Sequence, residues 1–256
     1  MITDITHPTP EQIPGLRSLW KEAFQDEDDF LDAFFSTAFH PERCLCISWA
    51  EDPVAAIYWM DCTLRGEKVA YLYALVTLES YRSQGYARNL LRRTHEVLKA
   101  RGYAAALLMP GSKYLARWYQ REGYEYCGGT AEFAAKAAPE ASILRPVTAA
   151  EYGALRKQYL PEGSVIQGDA ALEFLATQAK LYAGDGCLMA VQTTLWDTIV
   201  VPEYLGDPEK APGALAALGH PKAPFRTPGG TQSIAMFRSL TDPPIQPPSY
   251  FAFPFI

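Results

Sequence analysis

The 256-residue sequence has no apolar run long enough to span a membrane, so no membrane partner is expected. It also lacks a basic surplus. With 23 Lys and Arg against 29 Asp and Glu, its net charge of −6 speaks against a nucleic-acid surface and mildly favours cationic partners. An ordinary acidic protein would show the same balance. Cysteine and histidine are sparse. Cys44, Cys46, Cys62, Cys127 and Cys187 cannot all pair, and free buried thiols in a reducing, cytoplasmic setting are expected. His7, His40, His95 and His220 stand at no metal-ligand spacing, and no metal is expected. The start, Met1-Ile2-Thr3-Asp4, has no basic segment followed by an apolar one, so no export signal is expected. The chain contains no G-x-x-x-x-G-K-[ST], G-x-G-x-x-G, H-E-x-x-H or G-x-S-x-G, so P-loop, Rossmann, zincin and α/β-hydrolase chemistry are unsupported.

What is present concentrates in residues 71–91, YLYALVTLESYRSQGYARNLL. A β-branched apolar run ends at Thr77, a polar turn follows, and Arg82-Ser83-Gln84-Gly85-Tyr86-Ala87 leads into a helical pattern. A strand feeding a glycine-bearing loop that opens a helix presents unpaired N–H groups at the positive end of the helix dipole, which suits a phosphate or pyrophosphate. Taken alone, R-x-x-G-x-[GA] arises by chance in about one chain of this length in seven. Its setting between a strand and a helix, with a matching element downstream, carries the weight.

The order of elements is also legible. A strand at Ile2–Thr6 precedes a helix opened by Pro10 or Pro14, with apolar stripe Leu16, Leu19, Trp20 and Phe24. A second helix carries Phe30, Leu31, Phe34, Phe35 and Phe39 and stops near Pro41. Strands follow at Cys44–Trp49, Val54–Leu64 and Val69–Thr77, with Arg65-Gly66-Glu67 as a hairpin turn. The helix after the loop buries Ala87, Leu90, Leu91, Val97 and Leu98 and ends at Arg101-Gly102. Ala104–Met109 is a buried strand, Gly111-Ser112 begins another helix that Gly123 stops, and Tyr124–Phe133 returns as a strand.

This α/β order resembles the GNAT superfamily of N-acetyltransferases over residues 1–134. Two separated motifs carry the likeness: Thr77–Ala87, similar to the family's acetyl-CoA loop, and Leu115–Tyr124, similar to its aromatic-rich helix ending in Tyr-x-x-x-Gly-aromatic. The resemblance implies a mixed central sheet flanked by helices, acetyl-CoA as co-substrate, and a primary amine of a small molecule or peptide as acceptor. It places the amides of Gln84, Gly85, Tyr86, Ala87 and Arg88, with Ser83 in the same loop, on the pyrophosphate, helped by the Arg82 and Arg88 side chains. It places the backbone of Leu75, Val76 and Thr77 along the pantetheine arm and the Val76 N–H on the thioester oxygen. Tyr119, four residues before Gly123, becomes the general acid, with a core tyrosine as the plain alternative. Ser112 stands where relatives contact the cofactor, although a helix N-cap explains it as well. The base is not readable: Glu22, Glu27, Asp61, Glu79 and the carboxylate of Ile256 are candidates, beside a water chain. A non-catalytic CoA-binding module, or an acyltransferase using another acyl-CoA or an oxygen acceptor, remains open. So does the oligomeric state, a homodimer included.

Residues 135–142 read as a linker. Beyond it Thr9, Leu16, Arg17 and Trp20 recur as Thr148, Leu155, Arg156 and Tyr159, a shift of 139 each time, and Cys44-Leu45 recurs as Cys187-Leu188. With helices at Ala170–Tyr182 and Ala214–Leu218 and a strand near Thr198–Tyr204, this suggests a second, degenerate copy at 143–256 without the phosphate loop. The apolar tail 249–256 is expected to dock rather than float.

Overall fold

The computed structural model describes residues 4–194 and 196–251. The predicted strand at Ile2–Thr6 and the Ile256 carboxylate lie partly or wholly outside those residues. The chain divides into two compact units, one of residues up to Met109 with Arg238–Gln246, the other of Pro110–Phe237 with the segment from Pro247.

In the first unit, apolar runs in the sequence become β2 (Cys44–Trp49), β3 (Asp52–Leu64), β4 (Glu67–Thr77) and β5 (Ala105–Leu108), with a short β1 (Ile5–Thr6). The sheet order is β1-β2-β3-β4-β5, antiparallel except for β4 with β5. Residues Val54–Met60 of β3 are all buried, because both its faces are covered. Helix α1 (Ile13–Phe24) and α3 (Tyr86–Ala100) both pack on it. Both candidate prolines take part: Pro10 opens a 3₁₀ turn and Pro14 sits in the first turn of α1. Helix α2 (Asp28–Thr37) buries Leu31 and Phe34. The β3–β4 hairpin turns on Arg65 and Gly66, at φ 51° and 85°, and Glu67 is already in the strand opposite Leu64. Two positive φ values are what a two-residue hairpin requires. The buried stripe of α3 is Leu90, Leu91, Thr94, His95 and Leu98; Ala87 and Val97 are only half-buried.

The second unit contains α4 (Lys113–Arg121), β6 (Glu125–Lys136), β7 (Leu144–Pro146), α5 (Ala149–Tyr159), β8 (Val165–Gln167), α6 (Asp169–Gln178), β9 (Lys180–Gly184), β10 (Cys187–Thr193), β11 (Ile199–Gly206), α7 (Ala211–Leu218), β12 (Lys222–Pro228) and β13 (Gln232–Ser239). Its strand order, β7-β9-β10-β11-β12, copies β1-β2-β3-β4-β5, and β11 runs parallel to β12 as β4 does to β5.

Several expectations shift. β6 continues through Ala135 and Lys136, paired with Ala223 and Lys222, so the linker begins later than composition suggests. The helix expected over Ala170–Tyr182 stops at Gln178, and Lys180–Gly184 turns back through Asp185-Gly186 as a hairpin with β10. Pairing partners override local helix preference there. Cys187 opens β10, the counterpart of β3, whereas Cys44 opens β2, so the Cys-Leu match is no structural equivalence. β12 contains Pro224 yet forms a strand; its ladder to β11 consists of the single pair Val201–Phe225, so a missing N–H costs little. All five cysteines are free and buried.

Charge is buried in the second unit in one closed network. Arg156 donates to both carboxylate oxygens of Glu203 at 2.7 and 2.9 Å, and the hydroxyls of Tyr152 and Tyr250 donate to the same carboxylate at 2.8 and 2.9 Å. Each Glu203 oxygen is thus doubly satisfied, the condition under which a buried ion pair is tolerated. Tyr250 and Phe251 are fully buried, so this part of the tail docks.

Candidate functional site

The first component of the site is the far end of β4. Its ladder to β5 covers only Val69–Ala105, Ala70–Ala106 and Tyr71–Leu107, while β4 runs on to Thr77. The β5-facing edge from Tyr73 onward therefore meets no β5 residue, and an extended ligand can pair with such an edge. Within this stretch Ala74 forms a bulge at φ 58°: Tyr73 opposes Tyr58 and Leu75 opposes Ile57, leaving Ala74 without a partner on β3. The bulge flips the strand's facing, so Leu75 and Val76 present opposite sides from those a straight strand would give. A non-glycine residue in the left-handed region stores strain of the kind found at functional sites. Sequence reasoning missed this residue. Its trace was the break in alternation after Tyr71 and Tyr73.

Thr77, the last residue of β4, carries a hydroxyl Oγ1 that is buried and has no hydrogen-bond partner. Its carbonyl oxygen accepts from Arg82 Nε at 3.1 Å, which straps the loop to the strand end. The Arg82 amide bonds the Glu79 carbonyl at 3.1 Å, and Gln84 Nε2 bonds the Ser80 carbonyl at 3.2 Å. The loop is thus braced from within before it meets any ligand.

Ser83 and Gly85 have φ of 63° and 86°, and Gly85 is the N-cap of α3. No side chain caps this helix. The Gly85 carbonyl accepts from the Asn89 amide at 3.0 Å, so the amides of Tyr86, Ala87 and Arg88 have no earlier carbonyl in the helix to bond. A Cβ built on Gly85 would meet nothing within 4 Å, so the space above these amides is open. Together they present convergent donors at the positive end of a 15-residue helix, a fit for an anion. The orphan Thr77 hydroxyl and the unpaired edge behind it fit a ligand whose anion is followed by an extended, amide-bearing arm.

Two further residues that the sequence singles out, Ser112 and Tyr119, lie in the other unit and are described by themselves. Ser112 is the N-cap of α4, its hydroxyl accepting from the Leu115 amide at 3.2 Å. Tyr119 is half-buried, with its ring 4.8 Å from Trp118 and 5.6 Å from Tyr124. Its hydroxyl makes no hydrogen bond among the described residues. Burial pushes the Tyr119 phenol well above its ordinary pKa, so it stays protonated at neutral pH. That is the state a proton donor needs.

Of the candidate bases, Glu22, Glu27 and Glu79 are exposed. Asp61 is committed elsewhere: Arg43 donates to it at 3.1 Å and the Tyr103 hydroxyl donates to its other oxygen. It pairs with Ala70, seven residues before Thr77, about 23 Å along the strand at 3.3 Å per residue. Asp61 is therefore not at this end of the sheet. Among the described residues no group of three or more His, Cys, Asp or Glu could hold a metal, and no helix is long and apolar enough to cross a membrane.

Residues 4–127 match the family model described as an acetyltransferase (GNAT) domain. No curated protein matches the sequence. Among solved structures, a GCN5-related N-acetyltransferase from Anabaena variabilis superposes with a TM-score of 0.72 at 15% identity, over 93% of this chain and 73% of that one. One from Kribbella flavida gives 0.69 at 16% identity, over 94% and 72%. Eis1 from Mycobacterium abscessus gives 0.66 at 15%, over 93% and 74%. These identities establish a shared fold over nearly the whole chain. Residues 4–127 thus match the GNAT acetyltransferase domain in sequence, and nearly the whole chain shares the fold of GCN5-related N-acetyltransferases.

Proposed function

We propose that this protein is an acetyl-CoA-dependent N-acetyltransferase acting in the cytoplasm on a primary amine of a small molecule or peptide. The observation that carries the reading is the uncapped start of α3 behind Gly85, set directly after a β4 whose edge is unpaired beyond Tyr71. Acetyl-CoA would supply an acyl group activated as a thioester. The amides of Gln84 to Arg88 would hold its diphosphate, with Arg88 and the remaining nitrogens of Arg82 adding charge. The backbone of Leu75, Val76 and Thr77 would bond the pantetheine arm as an added strand. The Val76 N–H would face the thioester oxygen, with the Ala74 bulge setting its direction. Tyr119, held protonated by burial, would donate from its phenol oxygen to the departing sulfur. Ser112 keeps its hydroxyl hydrogen and one lone pair for a ligand, since its other lone pair caps α4.

Residues 143–256 would be a second GNAT-like domain that has lost cofactor binding, a reading supported by the copied strand order. The test is calorimetric titration of the full chain with CoA, followed by thiol release from acetyl-CoA against a panel of amines. Micromolar CoA binding with amine-dependent thiol release is expected. Binding without release would leave a CoA-binding module, and no binding would end the assignment.

A further inference from the structure

Helix α4 reads KYLARWYQR from Lys113 to Arg121 and contains no acidic residue. Its cations, Lys113, Arg117 and Arg121, recur every fourth residue and so form one row along the helix. All three are exposed, and none makes an ion pair or a side-chain hydrogen bond among the described residues. Like charges one turn apart repel, and Lys113 adds a cation at the positive end of the helix dipole. Nothing within the chain rewards that row. Tyr114, 75% exposed, and the half-buried Trp118 share its face, spaced with Arg117 and Arg121 as i, i+3, i+4 and i+7. Tyrosine, tryptophan and arginine are the residues that most often anchor protein–protein contacts. Helix α6 is the opposite in charge. Its acids Asp169 and Glu173 lie one turn apart, both exposed and without an ion pair among the described residues, and α6 has no cation. Between α5 and α6 runs a cleft of about 260 Å³ whose lining includes these two carboxylates, Ala149, Gly153, Ala154 and Lys157. Gly153 lets the helices close at its base, since a Cβ there would lie 2.5 Å from Leu172 Cδ1. The cleft is smaller than the roughly 300–1,000 Å³ of small-molecule sites and suits one inserted side chain.

We infer that α4 of one copy of this chain docks in the α5–α6 cleft of a second copy, so that the protein self-associates. In that contact Tyr114 enters the cleft over its small residues, where the Lys157 ammonium rests on the ring face. Two cations of the α4 row meet Asp169 and Glu173, because both sets repeat every four residues, about 6 Å along a helix. Charge selects a second copy as the occupant. The chain carries an acid-free helix and a cation-free helix, and it neutralises neither within itself. When each copy gives its α4 to the other's cleft, the contact closes with two-fold symmetry. The inference goes beyond the acetyltransferase reading and does not depend on it.

Sedimentation velocity of the full chain from about 1 to 100 µM should show a reversible dimer of micromolar affinity, as a small charged contact gives. Raising the salt from about 0.05 to 0.5 M should weaken it at least tenfold. Arg117→Glu and Glu173→Arg, both at exposed positions, should each leave a monomer with the far-UV spectrum of the parent. Mixed in equal amounts, the two monomeric variants should dimerise again, because each then meets opposite charge in both contacts. Tyr114→Ala should weaken association several-fold through loss of the ring. A wild-type chain that stays monomeric throughout overturns the inference, and so does a dimer that both charge reversals leave intact. A mixture of the two variants that stays monomeric overturns it as well. If Arg117→Glu weakens CoA binding and leaves association unchanged, the α4 row serves the cofactor and the inference falls.

Discussion

The chain builds the same strand-loop-helix turn twice, and only one of them can receive an anion. After β4, the loop delivers α3 with Gly85 at the N-cap, open space above it and no side-chain cap from the N-cap residue. After β11, Asp207 caps the turn with its own carboxylate, accepting from the Glu209 amide at 2.9 Å. Pro212 then removes a donor from the first turn of α7, which has 8 residues. The strands differ in parallel. Both carry a bulge before the loop, at Ala74 in β4 and at Val201-Pro202 in β11, but Pro202 has no N–H to offer. The second turn thus differs from the first in three features that disfavour an anion: a carboxylate on its amides, a proline among the donors and a proline at the bulge. The strand order and the buried core of Met189, Val201, Leu215 and Phe225 are kept beside these differences.

The contrast breaks most sharply at Gly85. Gly85→Asp puts a side chain at φ 86° and a negative charge where the anion would sit. Loss of CoA affinity by at least 100-fold is expected from calorimetry, with the melting temperature lowered by only a few degrees. Unchanged affinity would move the ligand away from this loop.

Acid should separate the two regions next. Helix α3 buries His95, whose pKa burial pushes down to about 3, whereas α7 buries Ala211, Ala214 and Leu215. In the unfolded chain this imidazole takes a proton near pH 6.5, and in the folded protein it resists until about 3. Stability is therefore intact above pH 6.5 and falls as pH drops toward 3, by about 1.4 kcal/mol per unit within that window. Hydrogen exchange at pH 4.5 should show the α3 region loosening before the α7 region. Equal protection of both would remove His95 as the acid-sensitive point.

Tyr119 sharpens the comparison on the chemical side, since the second half offers no counterpart to α4 between β12 and β13. Tyr119→Phe should lower kcat by about tenfold while CoA affinity holds. Because burial raises the phenol's pKa, the wild-type rate should not decline through pH 9 to 10 from loss of this proton. A decline there that disappears in the Phe variant would show a phenol titrating normally.

How much of this was legible in the sequence depended on whether the cause was local. The loop at Arg82–Arg88, the Ser112 cap and the Gly123 stop were readable because each is a backbone event dictated by nearby residues. β12 was hidden by Pro221, Pro224 and Pro228, since what makes it a strand is seven register pairs with β6, nearly 100 residues away. The first residues of β9 read as the end of a helix, although Asp185-Gly186 is a hairpin signal in plain view. The Arg17–Arg156 match was real in position and misleading in role. Arg17 pairs with exposed Asp32, while Arg156 is sealed against Glu203.

The smallest effect tests whether the second turn is merely blocked or truly rebuilt. Asp207→Ala removes the carboxylate from the Glu209 amide and should cost about 1 kcal/mol, a fall of 2 to 4 °C in melting temperature for a chain of this size. If the carboxylate alone excluded anions, the variant would gain a second CoA or inorganic pyrophosphate site by calorimetry. No gain is expected, because Pro202 and Pro212 still withhold their donors and Lys210 is turned away to the Asp185 carbonyl at 3.0 Å. A stoichiometry that stays at one site per chain would mean that the loss of cofactor binding is written into the backbone donors. A second site would mean that one carboxylate is all that divides the two halves.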